Sequence, residues 1–256
     1  MKVIISSLAA LLMFGAIVSA ADDPLVTNSD ALRAAVEGKK GAAEIKRLAV
    51  LVLTEAKKAE GPVPADQDKA WWEEHAKYAE QVADYAGYAL VNAASGAPTA
   101  TQIDLITTLE TENPKSKYLT QDAYILVAEG AMSAQQADRA SAFARKSLTA
   151  PKGSKPEQVT AEAHYIIGVS AATKQDFMTA DKELKIAMAG VKGTPREPIT
   201  LFYLGEADYN LGRKTMDRTM IDQGIRYLNQ CALIPGQYQS QSSAEVKRMK
   251  TEVGEK

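Results

Sequence analysis

Apolar side chains return every third or fourth position along most of the chain, which is the spacing of one face of an α-helix. No segment alternates polar and β-branched residues as a half-buried strand would. The clearest stretch is residues 161–188. His164, Ile167, Gly168 and Ala171 fall on one helical face, Lys174, Gln175 and Asp176 turn the chain, and Phe177, Ala180, Leu184 and Ala187 line a second helix. Pro98, Pro114, Pro151, Pro156, Pro195, Pro198 and Pro235 all lie between such segments, where proline ends one helix or opens the next. The pattern predicts an all-α fold.

The same pairing recurs at a near-constant step. Leu201, Leu204, Gly205 and Asp208 open a helix whose partner carries Gly224, Ile225, Tyr227, Leu228 and Cys231. Upstream, Tyr124, Val127, Ala128 and Ala131 pair with Ala137, Ala140, Ala144 and Ser147. Earlier still, Ala83, Ala86, Gly87 and Leu90 pair with Gln102, Ile106 and Leu109. The units begin at Ala83, Tyr124, His164 and Leu201, in steps of 41, 40 and 37 residues. Small residues at Gly87, Ala128, Gly168 and Gly205 let the second helix of each pair come close, and Ala140, Ala180 and Ala187 answer from the other side.

These units resemble the tetratricopeptide repeat, with its bulky-x-x-Leu-Gly-x-x-large first helix and Ala-x-x-x-Phe-x-x-Ala second helix. His164 stands for the usual aromatic, Leu184 for the usual Phe, and Cys231 falls where the family places a small Ala. The steps exceed the family's repeat of about 34 residues, and about seven extra residues lie around residues 213–220, expected as a longer turn. The resemblance implies a right-handed α-solenoid of antiparallel helix pairs, each burying its apolar stripe on the next.

The flanks are expected to be less regular. Residues 21–65 read as a degenerate capping pair: Ser29 or Asp30 caps a short helix to Glu37, and a strongly apolar helix with Ile45, Leu48, Leu51, Val52 and Leu53 follows. Pro62 and Pro64 break the pattern before one long helix over residues 71–92. The repeat array is expected over residues 66–236. Residues 237–256 read as a polar segment leading to a short charged capping helix over residues 244–253.

The first twenty residues differ in kind. Lys2 precedes an apolar run over residues 3–18 broken only by Ser6, Ser7 and Gly15, and Val18, Ser19 and Ala20 end in small side chains, the three parts of a secretory signal peptide. The strictly apolar core, residues 8–18, is shorter than the roughly 20 residues a bilayer span needs. Cleavage is expected after Ala20, with a periplasmic or secreted product and no membrane insertion afterwards. The product has 236 residues and a net charge near −3, the whole-chain −2 less the charge of Lys2. Interspersed charge near balance gives no pull toward nucleic acid. A single cysteine, Cys231, excludes an intramolecular disulfide and reads as a packing residue.

Reactive groups do not converge in the sequence. His75 and His164 are the only histidines, and neither metal-ligand spacing nor a phosphate loop nor a nucleophile elbow is present. The expectation is a non-enzyme without cofactor or metal. In the resembled family the first helix of each pair lines a concave groove. Carried onto this chain, that face would include Asp84, Tyr88, Asn92, Ile125, Glu129, Met132, Tyr165, Val169, Thr173, Phe202, Glu206, Tyr209 and Asn210, unless several of them pack between neighbouring repeats instead. A protein or peptide partner is the implied ligand. The family's carboxylate grip, built from Lys and Asn, has no counterpart at these positions. Trp71 and Trp72 point about 100° apart on one helix, so one is expected to pack; the other either covers the linker at Pro62 and Pro64 or offers an anchor, which would suit the alternative of a self-associating envelope or secretion subunit. A helper domain parted from its catalytic partner is a third reading.

Overall fold

The computed structural model describes residues 23–65 and 67–254; the expected signal peptide lies outside the described residues. Among these the chain forms eleven helices and no strand. They are α1 (Pro24–Glu37), α2 (Ala42–Lys58), α3 (Lys69–Ala94), α4 (Thr99–Glu112), α5 (Gln121–Ser133), α6 (Ala137–Thr149), α7 (Pro156–Ala172), α8 (Phe177–Val191), α9 (Glu197–Thr215), α10 (Arg218–Ala232) and α11 (Gln239–Glu252). No described helix is long and apolar enough to cross a membrane.

Several ends differ from expectation. Asp23, not Ser29 or Asp30, caps α1, accepting from the Leu25 backbone N–H at 2.8 Å. Pro24 sits at the first helical position, where no N–H is needed. Ser29 is instead interior, sharing a 2.6 Å hydrogen bond with the Tyr78 hydroxyl of α3. Asp68 caps α3 through the Trp71 N–H at 2.9 Å, so that helix runs to 26 residues. The extra residues near 213–220 extend the helices rather than the turn, leaving only Met216 and Asp217 between α9 and α10. The expected C-terminal helix begins five residues early, at Gln239 inside the polar run, and as α11 packs Ser242, Val246 and Met249 against the preceding pair.

One turn geometry serves four of the five odd-to-even connections. Lys39, Gln135, Gln175 and Met216 each adopt positive φ, between 50° and 61°. The next residue's N–H then reaches back five positions: Lys40 to Ala35, Gln136 to Ala131, Asp176 to Ala171 and Asp217 to Gly212, at 2.8–3.0 Å. This is the Schellman closure of a helix end. The α3–α4 turn uses Gly96 instead.

Close approach within pairs follows the small residues. A methyl at Gly168 would stand 2.5 Å from Leu184 Cγ, and one at Gly224 would stand 2.7 Å from the Gly205 carbonyl. Gly87 departs from the expected role, because its nearest neighbour is Ser116 Oγ on the α4–α5 connection, with α4 further off. Cys231 is fully buried and its thiol donates to the Pro198 carbonyl at 3.1 Å, in keeping with a packing residue.

Every helix packs on its neighbour in sequence, and the other substantial packings join α1 to α3, α2 to α4, α5 to α7, α7 to α9 and α9 to α11. The row of odd helices is interrupted between α3 and α5. There the connection over residues 113–120 enters, burying Ser116 and Leu119 and setting Tyr118 against Tyr88 with ring centroids 6.0 Å apart.

Candidate binding face on the odd-numbered helices

The face expected from the first helix of each pair divides at this interruption. On α3, Asp84 pairs with Lys117 at 2.5 Å, Tyr88 is half-buried against Tyr118, and Asn92 is exposed. These three stand apart from the α5–α11 row. Two clefts of about 350 and 380 Å³ flank the same connection and share Lys115 and Ser116.

From α5 onward the structure brings most of the expected residues together, but five of them are interior. Ile125, Tyr165, Val169, Phe202 and Tyr209 are buried and present no free surface, because neighbouring odd helices close over them. Tyr209 donates its hydroxyl to Glu252 of α11 at 2.7 Å. Phe202 lies beneath Tyr203 and Tyr238, at ring distances of 5.4 and 5.1 Å. Glu129, Met132, Glu206 and Asn210 are half-buried, and Thr173 is exposed at the end of α7 with its hydroxyl on the Ser170 carbonyl. Asn210 donates to the Glu206 backbone carbonyl at 2.7 Å.

Several residues that organise the face were not among those expected. Arg196, at the start of α9, ties three odd helices: it donates to Glu129 of α5 at 2.9 Å, pairs with Glu162 of α7, and covers the Tyr165 ring at 5.2 Å. Nothing in a single repeat signals this, since its partners lie one and two units upstream. Tyr203 and Tyr238 form the outer aromatic layer, 6.4 Å apart. Tyr238 sits in the run that reads as polar, immediately before α11. Burial pushes the Tyr165 and Tyr203 hydroxyls up to about 12, so both stay neutral donors at physiological pH.

Glu206 is the unusual charge of the face. No hydrogen bond or ion pair reaches its carboxylate among the described residues, and partial burial raises its pKa, with the negative Glu245 adding to the effect and Arg248 opposing it. Arg248 itself bonds Glu245 and Glu252.

At the other end of the molecule Trp71 is 38 % exposed and stacks on His75 at 4.8 Å, while Trp72 is half-buried. His75 lies 3.5 Å from Asp23. His164 is half-buried with Nδ1 2.6 Å from Glu183, a polar pairing inside α7–α8 where a simple apolar exchange was expected. Among the described residues no cluster of three or more His, Cys, Asp or Glu could hold a metal. Compared with models of known protein families, with curated proteins and with solved structures, the chain matches none.

Proposed function

We propose that the chain is an exported, non-catalytic scaffold whose helix pairs continue as a right-handed, tetratricopeptide-like solenoid and hold a protein or peptide segment along α5, α7, α9 and α11. The observation that carries this reading is one-sided packing. From α5 onward the odd helices pack on one another in a row, whereas no substantial packing joins the even helices beside them. Pairs joined on one side only fan apart on the other, so the odd row becomes the inner, concave side. Half-buried Tyr203, Tyr238, Glu206, Asn210 and Met132 line that side, a mixture of rigid aromatic area and polar tips suited to gripping a chain.

Selection of binders from a displayed random peptide library, followed by fluorescence anisotropy, tests the reading. Replacing Tyr203 and Asn210 together with Ala should weaken the selected peptides by about tenfold or more, near 1.4 kcal/mol, with helix content preserved. Replacing Ile186, 47 % exposed on α8, should change nothing. Recovery of no binder, or equal binding by both variants, removes the proposal. A second reading, a self-associating subunit of an envelope or secretion assembly, draws on the exposure of Trp71. Light scattering showing a monomer at micromolar concentration counts against it.

A further inference from the structure

The chemistry of the face narrows what the bound segment must offer, and this step rests on the scaffold reading above. We propose that the segment inserts a cationic side chain, Lys or Arg, against Tyr203, Tyr238 and the carboxylate of Glu206. Three observations converge on it.

First, the charges of the face do not balance: five glutamates meet three arginines. Arg196 is shared by Glu129 and Glu162, and Arg248 and Arg213 are taken up by Glu245 and Glu252. Glu206 remains without a bonded partner among the described residues, half out of water. A partly desolvated carboxylate gains most from a cation that brings its own charge into the same low-dielectric place.

Second, the neighbouring surface is aromatic. Tyr203 and Tyr238 are half-buried with rings 6.4 Å apart. Ring faces attract an ammonium or guanidinium, the more so where water is thinned. A negative segment would be repelled by Glu206 and Glu245, and the nearby Arg248 is already bonded to Glu245 and Glu252.

Third, the chain supplies its own example. One helix over, the Arg196 guanidinium lies on the Tyr165 ring at 5.2 Å with glutamates on either side. Glu206, with Tyr203 and Tyr238, continues that aromatic and acidic patch along α9, and no cation is bonded to its carboxylate among the described residues, Arg248 nearby being held by Glu245 and Glu252.

A double-mutant cycle on purified protein decides the matter. Peptides selected from the random library should share a Lys or Arg at one position. Substituting Glu206→Gln should weaken such a peptide about tenfold, as should replacing its Arg by citrulline, which keeps shape and loses charge. Combining both changes should add little beyond either one, the mark of a direct contact. Circular dichroism and thermal unfolding of Glu206→Gln confirm that the fold is retained. If selected peptides bind without a common cation, or the two changes add fully, the cation site is wrong while the scaffold reading stands. If no peptide is selected, both fall together.

Discussion

A carboxylic acid shut inside a helix joint either sheds its charge or acquires company. Asp208, 1 % exposed on α9, does some of each. Its carboxyl meets that of Asp181 from α8, and Lys185 of α8 stands 2.5 Å from Asp181 and 3.3 Å from Asp208. No donor reaches Asp208 Oδ2, and two carboxyls can bond only by sharing a proton. Burial first, then Asp181, raises the Asp208 pKa to about 7, against the pull of Lys185. The sign follows directly. Because the folded state holds this proton more tightly than the unfolded chain, the favourable contribution is complete below the ordinary aspartate range and is lost as pH rises through about 7. One pKa unit corresponds to about 1.4 kcal/mol; with Lys185 partly in solvent to screen the site, a loss of about 2 kcal/mol between pH 5 and 7.5 is expected. Asp208→Asn should flatten that slope in urea unfolding, and parallel profiles for the two proteins would dismiss the shared proton. The inward placement of Asp208 was legible from its helical position. Its chemistry was not, because Asp181 and Lys185 come from the preceding pair.

Helix ends show the same division between what is local and what is not. Turn positions were legible from breaks in the apolar period, as at Lys174, Gln175 and Asp176. Their conformation was hidden, since the left-handed residue is Lys, Gln or Met rather than glycine in four of five cases. A side chain there costs about 1–2 kcal/mol relative to glycine in the folded state, offset in part by glycine's greater freedom when unfolded. Met216 is 91 % exposed, so its side chain contributes little packing in return. Met216→Gly should therefore stabilise the protein by about 0.5–1 kcal/mol, raising Tm by roughly 2–4 °C; an unchanged or lowered Tm would contradict the strain assigned to this turn. The helix expected over residues 244–253 forms, but its start at Gln239 was not legible, because the Gln- and Ser-rich residues ahead of it carry no apolar period. Tyr238, Val246 and Met249 suffice only because α9 and α10 provide a surface ready to receive them.

At the scale of the molecule, pairing between adjacent helices was readable because it depends on small residues a few positions apart. The interruption between α3 and α5 was not. The spacing of the unit at Ala83 matches its successors, but residues 113–120 interpose Ser116 and Tyr118 against Gly87 and Tyr88. Where each helix packs on near neighbours in sequence, stability is a sum of local joints, and the weakest joint separates cooperative units. Native-state hydrogen exchange should therefore give the slowest amides of α1–α4 and those of α5–α11 two distinct opening free energies. A single value shared by both groups would show that the joint transmits as firmly as the rest. The interruption also has a mechanical meaning. Beyond the packing of α4 on α5, which includes the Thr99 hydroxyl donating to the Gly130 carbonyl at 3.0 Å, the bridge Lys146–Glu110 spans it and Lys117–Asp84 ties the connection to α3, and both bridges lie at the surface, where water weakens them. Tension drawn between the two termini would gather there and part α4 from α5 while the pairs on either side stayed closed, so the chain carries a built-in fuse near its middle.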